Sequence, residues 1–213
     1  MILDLVYLCI SFEFFQFLVV LFGSGYIEEE LCGLRFRISP KAFYQINPTQ
    51  TEVLYRKALE FAGLSGTERL LDAYCGTGTI GIIASKSAGE VIGVELNGDA
   101  VKDAVTNAEL NGVDNIKFYK ADAGKFMVEA AELGEKFDVV IMDPPRAGAS
   151  LDFLKSLVTL APDRIVYISC NPETQSRDLS YLTRKGYKVR RIQPVDMFPH
   201  TEHVETVALL TRQ

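Results

Sequence analysis

Short apolar runs alternate with amphipathic segments from about residue 69 to the end of this chain. Such runs are typical of buried strands, and segments in which apolar residues recur every three or four positions are typical of helices. The pattern predicts strands at 69–74, 91–95, 115–119, 137–142, 164–169, 187–194 and 206–210. It predicts helices between the first six of these strands, at 79–87, 98–111, 125–133, 151–160 and 172–184.

This alternation predicts an α/β fold built on a doubly wound sheet. Helical connections make successive strands parallel, and ligands bind at the carboxyl ends of such strands. No helical pattern separates the last two strands, so we expect a mostly parallel sheet with an antiparallel last strand. Every polar motif described below lies at a predicted strand end, which places the candidate chemistry on one edge of the sheet.

Three further elements are predicted before the sheet. Residues 23–30 are expected to form a turn with an acidic edge, and residues 34–38 a short strand in which apolar and basic residues alternate. A helix is predicted over residues 48–62. Asn47 suits the N-cap of that helix, and proline, here Pro48, is favoured at the first helical position.

The segment from Leu5 to Phe22 is mostly apolar. It lacks a basic start and a small-residue cleavage site, which argues against a signal peptide. A membrane span is an alternative on length, but Glu13 near its centre would be costly. We favour one or two buried strands, or the remnant of a truncated upstream domain. The sequence is therefore divided into an irregular N-terminal segment, residues 1–34, and a catalytic domain, residues 35–213.

Composition narrows the class of protein. The 213 residues support one sizeable domain with a short appendage, and a net charge of −6 argues against gripping nucleic acid by overall attraction. One dense basic run is either a solvated face or a phosphate-contacting surface. It comprises Arg184, Lys185, Lys188, Arg190 and Arg191. The four cysteines have no metal-ligand spacing, so reduced, intracellular thiols are expected.

A glycine-rich turn follows the strand at 69–74. Gly76, Gly78 and Gly81 match the spacing of a dinucleotide-binding loop, a weak match by itself. Glycine permits positive φ and close approach of a ligand, and free N–H groups at the helix start would face that ligand. Asp72, at the strand end, would repel a pyrophosphate and suit a cationic, amine-bearing ligand. S-adenosylmethionine has that character.

Carboxylates follow three neighbouring strands. Glu95 could accept hydrogen bonds from both ribose hydroxyls of such a ligand, the alternative being an exposed strand-end carboxylate. Asp122 could accept from an adenine amino group. Asp143 opens the sequence Asp-Pro-Pro-Arg, whose prolines rigidify the turn. Arg146 stands where an aromatic residue would stack on the base in an amino-methyltransferase, which argues against N-methylation of adenine or guanine.

A cysteine follows the strand at 164–169. Cys170 precedes a predicted helix, whose dipole and free amides favour a thiolate, although a lone cysteine is more commonly structural. Its place at the ligand-binding edge favours a nucleophile, and Glu205 is the best candidate for the base that covalent catalysis requires. His200 and His203 lack further ligands at a fitting spacing, so no metal is expected.

Five sequence pieces together resemble the RNA uracil-C5-methyltransferase family of the RumA/TrmA type. They are Phe43-Tyr44-Gln45-Ile46-Asn47, Asp72-Ala73-Tyr74-Cys75-Gly76-Thr77-Gly78, Asp143-Pro144-Pro145-Arg146, Ser169-Cys170-Asn171-Pro172 and His203-Val204-Glu205. The resemblance spans residues 35–213. Family members usually carry an upstream β-barrel RNA-binding domain, and some an iron–sulfur cluster. Neither is recognisable here, and residues 1–25 match no part of the family.

The resemblance implies a class I methyltransferase fold and S-adenosylmethionine-dependent methylation of uridine C5 in rRNA or tRNA, in the cytoplasm. Contacts to S-adenosylmethionine are implied for Gln45, Tyr74, Thr79, Glu95, Asp122 and Asp143, beside the loop glycines Gly76 and Gly78. Cys170 would be the nucleophile that adds to uracil C6, and Glu205 the base. Two alternatives stay open: a truncated S-adenosylmethionine-binding domain without activity, and an RNA or base N-methyltransferase, which would have no use for Cys170.

Overall fold

A computed structural model describes residues 6–12, 15–22, 24–45 and 47–213. In this described part the chain forms eleven strands and six helices. The strands are β1 (Val6–Phe12), β2 (Phe15–Phe22), β3 (Ile27–Leu31), β4 (Leu34–Ile38), β5 (Arg69–Ala73), β6 (Glu90–Glu95), β7 (Ile116–Lys120), β8 (Val139–Met142), β9 (Arg164–Ser169), β10 (Tyr187–Val195) and β11 (Glu205–Arg212). The helices are α1 (Pro48–Ala62), α2 (Thr79–Ser85), α3 (Gly98–Leu110), α4 (Ala123–Glu132), α5 (Leu151–Leu160) and α6 (Pro172–Thr183).

Seven strands form one sheet in the order β10-β11-β9-β8-β5-β6-β7. β11 runs antiparallel to both of its neighbours, β9 and β10, whereas the pairs formed by β5, β6, β7, β8 and β9 with one another are parallel. The predicted α/β class, the mostly parallel sheet and the antiparallel last strand are therefore confirmed. The reversal follows from the connection: no helix links β10 to β11, so the chain turns back into the sheet beside β9.

Apolar side chains cover both faces of this sheet. One core cluster joins α1, α2 and α3 to one face and includes Leu54, Ile82 and Val166. The other joins α4, α5 and α6 to the opposite face and includes Met127, Phe153 and Leu182. Because both faces are buried, the central strands are continuous apolar runs, which is why the hydrophobic pattern identified them.

Most predicted boundaries agree with the structure to within two residues. Helix α1 spans 48–62 as predicted, and the N-cap assignment is confirmed because Asn47 Oδ1 accepts the Gln50 N–H at 3.2 Å. The turn predicted over 23–30 is wrong in its second half, where β3 pairs antiparallel with β4. Pairing with a partner strand decides this segment, whose Glu28, Glu29 and Glu30 have weak intrinsic strand preference.

The N-terminal segment is not irregular where the structure describes it. β1 and β2 pair as an antiparallel hairpin, so the prediction of strands in this segment is confirmed. The boundary placed between residues 34 and 35 would separate the first residue of β4 from the rest of its strand. Glu13, which argued against a membrane span, lies outside the described residues, as does Ile46 of the Phe43–Asn47 piece. None of the described helices has the length and hydropathy that crossing a bilayer requires.

Helix α2 lies so close to β5 and β7 at Gly81 that no side chain fits at this position. A Cβ atom at Gly81 would lie 2.9 Å from Asp72 Oδ2 and 3.1 Å from Ile116 Cδ1. The Gly81 N–H donates to the same Asp72 oxygen at 2.8 Å. Gly81 therefore allows α2 to approach the buried strand carboxylate.

Gly81→Ala should destabilise the protein. Overpacking costs about 1–3 kcal/mol, which exceeds the roughly 1 kcal/mol that alanine gains over glycine inside a helix. A domain of this size loses about 2–4 °C of Tm for each kcal/mol. Gly98→Ala is the matched control, because its Cβ would meet only the flexible end of Lys120. Equal melting temperatures for the two variants would contradict this account of the packing.

Candidate active site

A cavity of about 510 Å³ opens at the carboxyl ends of the parallel strands. Its walls come from the segments that follow β5, β6, β7, β8 and β9 and from the start of β11. Eight of the ten site residues predicted from the sequence line it: Gln45, Tyr74, Gly76, Glu95, Asp122, Asp143, Cys170 and Glu205. The topology thus brings together residues that lie up to 160 positions apart in the chain.

The two remaining predicted residues are placed differently. Thr79 is buried and lines an adjoining cavity of about 50 Å³, together with Tyr44 and Tyr55. Gly78 is not among the residues that line either of these two cavities, so its contact with a ligand stays a prediction. Its φ of 79° requires glycine, and a Cβ there would lie 2.8 Å from Phe118 Cζ and 2.9 Å from Ala104 Cβ. Gly78 therefore lets the loop turn against α3.

The glycine loop, residues 74–78, holds three left-handed residues. Tyr74 has φ of 65° and Gly76 has φ of 55°, so the chain turns sharply after β5. Tyr74 packs its ring against Phe153 with ring centroids 5.4 Å apart, which fixes the side chain at the cavity wall. A left-handed tyrosine is unusual and is held in place by such surrounding packing.

Asp72 does not lie where the sequence suggested. Its carboxylate is buried under α2 and is not among the residues that line either cavity. Burial raises its pKa to about 7, the Gly81 N–H opposes this, and nearby Glu95 adds to it. Asp72 can thus act on a ligand only through the position of α2 and through its charge, and not by contact across the cavity surface.

Glu95 and Asp122 form the acidic wall on the β6–β7 side. Glu95 accepts the Gly76 N–H through Oε2 at 3.1 Å and the Asn97 N–H through Oε1 at 2.7 Å. Each carboxylate oxygen retains a second lone pair, so both can accept from a ligand hydroxyl. Asp122 caps α4 by accepting the Lys125 N–H at 3.0 Å. Because that cap starts α4 at Ala123, the start predicted at residue 125 is two residues late.

The register of β9 and β11 places Cys170 beside Glu205. Ser169 pairs with Thr206, and the strands are antiparallel. Cys170 is the next residue along β9 and Glu205 the preceding residue on β11, so both leave the sheet at the same point. Buried hydrogen bonds hold this point together. The Thr206 hydroxyl lies 3.2 Å from the Ser169 carbonyl and 2.8 Å from Gln175 Oε1, and Gln175 Nε2 donates to Tyr167 at 3.0 Å.

The electrostatics of this point differ from the prediction for Cys170. Burial raises the pKa of the Cys170 thiol, and the carboxylates of Glu205 and Asp143 raise it further. The backbone amide and the Arg146 guanidinium lower it by less. The predicted thiolate, inferred from the helix N-terminus, is therefore wrong for the protein by itself. Burial disfavours the charged form of the thiol, and the two facing carboxylates add to this because like charges disfavour a second anion.

The two carboxyl groups also titrate unusually. Desolvation raises the pKa of Glu205. Desolvation raises the pKa of Asp143 well above its ordinary value, and the charges of Glu205 and Asp72 add to this. A carboxylate whose pKa is raised is a stronger base, which suits a group that must take a proton near neutral pH.

The Asp-Pro-Pro-Arg turn is tied to the start of α6. The Arg146 carbonyl accepts from Asn171 Nδ2 and from the Thr174 hydroxyl, both at 3.2 Å. The exposed Arg146 guanidinium lines the cavity and lies 3.5 Å from His203 Nδ1. Deeper in the protein, buried Asp178 accepts the Ala149 N–H at 2.9 Å. This turn is therefore hydrogen-bonded to the residues that directly follow Cys170.

Seven lining residues were not among the predicted contacts, and two of them are large apolar residues at the cavity mouth. Phe43 and Leu96 line the cavity with side chains that are 77% and 64% exposed. Large apolar side chains exposed at a cavity mouth indicate a surface that a ligand covers. Phe43 stands in one of the five sequence pieces, so its position could have been inferred. Nothing in the pattern around Leu96 marked it.

The other candidate features lie apart from this chemistry. Among the described residues there is no group of three His, Cys, Asp or Glu side chains that could hold a metal ion. The residues of the basic run are exposed, and three of them lie on β10, the edge strand of the sheet. Lysine and arginine on an edge strand also prevent pairing with another chain, so the RNA-contacting role stays a prediction.

Comparison with known proteins supplies the family. The model of the tRNA (uracil-5-)-methyltransferase family matches residues 19–213, so the expectation that residues 1–25 match no part of the family is wrong for residues 19–25. A protein named uncharacterized RNA methyltransferase, from Caldanaerobacter subterraneus, is 49% identical over 194 residues, which cover 91% of this chain and 43% of that protein. A relative of the same description from Oceanobacillus iheyensis is 47% identical over 90% of this chain and 42% of its own length. The chain thus spans about two fifths of these relatives.

Solved structures show the same fold. The tRNA (uracil-54, C5)-methyltransferase of Pyrococcus abyssi, in complex with S-adenosyl-L-homocysteine, is 38% identical with a TM-score of 0.82. The match covers 98% of this chain and 51% of that one. Trm5b from Pyrococcus abyssi has a TM-score of 0.73 at 19% identity over 98% of this chain and 64% of its own, a likeness of fold alone. The predicted class I methyltransferase fold and the family resemblance are confirmed.

The charges around Cys170 should control its alkylation. Because Glu205 raises the pKa of the Cys170 thiol, Glu205→Gln should lower that pKa. Lowering the pKa by one unit raises the thiolate fraction at neutral pH about tenfold. Arg146→Ala should have the opposite effect. The measurement is the pH dependence of iodoacetamide labelling, followed at each cysteine by mass spectrometry. Cys32, whose pKa is raised by burial and by Glu52, is the internal control. Identical Cys170 profiles in all three proteins would refute this electrostatic account.

Proposed function

This chain belongs to the tRNA (uracil-5-)-methyltransferase family, and from that premise we propose that it methylates C5 of a uridine in RNA with S-adenosylmethionine as methyl donor. The observation that carries the proposal is the juxtaposition of Cys170 and Glu205 in the same cavity wall. The similar protein from Pyrococcus abyssi is named as a tRNA methyltransferase, which favours tRNA over rRNA as the substrate class of this chain.

The cavity suits S-adenosylmethionine in size and charge. Its volume of about 510 Å³ lies in the range of small-molecule sites, about 300–1,000 Å³. Four carboxylates line it, those of Glu95, Asp122, Asp143 and Glu205, against the single guanidinium of Arg146. Such a surplus of negative charge attracts a ligand that carries a sulfonium and an ammonium group. When bound, S-adenosylmethionine supplies a methyl group on a positively charged sulfur, an electrophile that a carbon nucleophile can take.

Cys170 makes uracil C5 nucleophilic. Its thiolate adds to C6, and the electron pair of the C5–C6 double bond moves towards C5 and the neighbouring carbonyl. The raised pKa of Cys170 means that the thiolate is scarce in the protein by itself, and a cation bound in the cavity lowers that pKa again. Bound cofactor thereby favours the reactive form of the nucleophile. The uridine has to leave any base stack to reach the cavity.

Glu205 completes the reaction after C5 has taken the methyl group. Its carboxylate removes the C5 proton, the electron pair of that C–H bond restores the C5–C6 double bond, and the C6–S bond breaks. Cys170 leaves as a thiolate, and the proton stays on Glu205 until it passes to solvent. The raised pKa of Glu205 supports its role as the base.

The alternatives differ in what they require of the cavity. An N-methyltransferase would have no use for Cys170 beside Glu205, and Arg146 stands where its stacking aromatic would be. An inactive S-adenosylmethionine-binding domain would bind the cofactor and leave RNA unchanged. The chain spans about two fifths of the length of its relatives, which keeps this second alternative open. Measuring methylation of RNA tests it directly.

Glu95→Ala should weaken binding of S-adenosylmethionine. A charged hydrogen bond to the ribose hydroxyls contributes about 1.5–3 kcal/mol, which corresponds to roughly 10- to 150-fold in Kd. Isothermal calorimetry on both proteins measures it, with Glu129→Ala as a surface control outside the cavity. The same titration with NAD should show no saturable binding. Equal affinities for S-adenosylmethionine in wild type and Glu95→Ala would move the ribose site elsewhere.

Substitutions of Cys170 and Glu205 should block different steps of the reaction. Glu205→Gln leaves addition and methyl transfer possible but removes the acceptor of the C5 proton, so the methylated base should remain bound to Cys170. With RNA and S-adenosylmethionine this variant should give an SDS-resistant protein–RNA band. Cys170→Ala should give none.

The double variant should behave as Cys170→Ala alone, because residues acting in one sequence of steps are not additive. Transfer RNA and ribosomal RNA made without modification serve as separate substrates. A Cys170→Ala protein that still methylates uridine C5 would end the covalent mechanism. A wild-type protein that binds S-adenosylmethionine and methylates neither RNA would favour the inactive-domain alternative.

A further inference from the structure

Two side chains of α3, Asp103 and Asn107, and that of its C-cap residue Asn111 bind the backbone of the β3–β4 hairpin. Asn107 Oδ1 accepts the Arg37 N–H at 2.7 Å, and its Nδ2 donates to the Arg37 carbonyl at 3.0 Å. Asn111 binds the N–H and carbonyl of Arg35 in the same way, at 3.0 and 2.7 Å. Asp103 accepts the Ser39 N–H at 2.9 Å. The open edge of β4 is thus paired with a row of side chains.

The spacing of the two elements explains this row. The three side chains recur every four residues along α3 and its C-cap, and their partners recur every second residue along β4 and the residue that follows it. Four residues of an α-helix rise about 6.0 Å, and two residues of a strand about 6.6 Å. Each helical turn therefore meets the next outward-facing amide of the strand.

Asn107 differs from its neighbours in one further bond. Its Nδ2 also donates to the Thr77 carbonyl at 3.2 Å, and Thr77 lies in the glycine loop. Asn107 is fully buried, and it uses its acceptor and both N–H donors in these contacts. Asn111 spends its second N–H on the Asn107 carbonyl of its own helix, at 2.8 Å.

Other contacts connect the same parts to the cavity. The chain leaves β4 towards Phe43 and Gln45, which line the cavity. On the way, the Lys41 carbonyl accepts from Asn97 Nδ2 at 2.8 Å, and the Asn97 N–H donates to Glu95. The hairpin, the glycine loop and the acidic wall are therefore joined through polar side chains of α3 and its N-cap.

We propose that Asn107 is a positioning residue that sets the glycine loop for S-adenosylmethionine and couples cofactor binding to docking of the β3–β4 hairpin. One buried amide satisfies both the hairpin and the loop, so displacing either leaves polar groups of the other unpaired. Such coupling is reciprocal: a docked hairpin strengthens cofactor binding, and bound cofactor stabilises the docked hairpin by the same factor. The inference rests on the proposed function for the identity of the ligand.

The chain contains its own matched control. Asn107→Ala and Asn111→Ala each remove two bonds to the hairpin backbone, and only the first also removes the bond to the glycine loop. Calorimetry should show Asn107→Ala weakening S-adenosylmethionine binding by about 5- to 150-fold, the usual range of coupling. The Kd of Asn111→Ala should stay within about twofold of the wild-type value. Equal losses in the two variants, or none in Asn107→Ala, would overturn the proposal.

Hydrogen exchange tests the reciprocal effect, first in the wild-type protein and then in a variant. Saturating S-adenosylmethionine should slow exchange of the Arg35 and Arg37 amides, which report hairpin docking although neither residue lines the cavity. In Asn107→Ser, a smaller polar replacement, the response of the Arg35 amide should disappear, although its own acceptor, Asn111 Oδ1, is unchanged. Unchanged Arg35 and Arg37 exchange in saturated wild-type protein would refute the coupling. No binding heat in the wild type would refute the proposed function itself.

Discussion

The antiparallel pairing of β11 with β9 is the constraint on which the site depends. If a helix linked β10 to a parallel last strand, that strand would begin at the amino ends of the parallel strands, whereas Cys170 lies at their carboxyl ends. Because β11 is antiparallel to β9, its first residue, Glu205, lies beside Cys170, the residue that follows Ser169. Thr206 and Gln175 then fix the spacing through buried hydrogen bonds. The position of Cys170 beside Glu205 is therefore set by sheet topology.

The same convergence of strand ends creates an electrostatic conflict. Asp143 and Glu205 face one cavity, and burial raises the pKa of both carboxyl groups and of the Cys170 thiol. These groups destabilise one another in the protein alone, and a cationic ligand relieves the repulsion. Binding of such a ligand to the folded state should consequently stabilise the fold and lower the pKa of Cys170. In the proposed function, the affinity for the cofactor and the activation of the cysteine would share this physical cause.

Buried amide and carboxylate side chains outside the cavity hold the cavity loops in position. Asn107 joins the hairpin to the glycine loop, and Asp178 accepts from the Tyr167 hydroxyl and the Ala149 N–H beneath the Asp143 turn. Backbone groups in irregular segments need such partners, because unpaired buried polar groups are costly. The loops that form the cavity are thus held by side chains of neighbouring helices that do not themselves line the cavity.

The sequence by itself determined the parallel core, the N-cap at Asn47, the glycine loop and the identity of most cavity residues. Local patterns suffice there, since burial on both faces, capping and positive φ each leave a mark within a few residues. Only the tertiary structure decided that residues 27–31 pair as a strand, that Asp72 lies under α2, that Gly78 packs on Ala104 and that the pKa of Cys170 is raised. Each of these depends on atoms contributed by chain segments distant in sequence, and no local pattern records which segments those are.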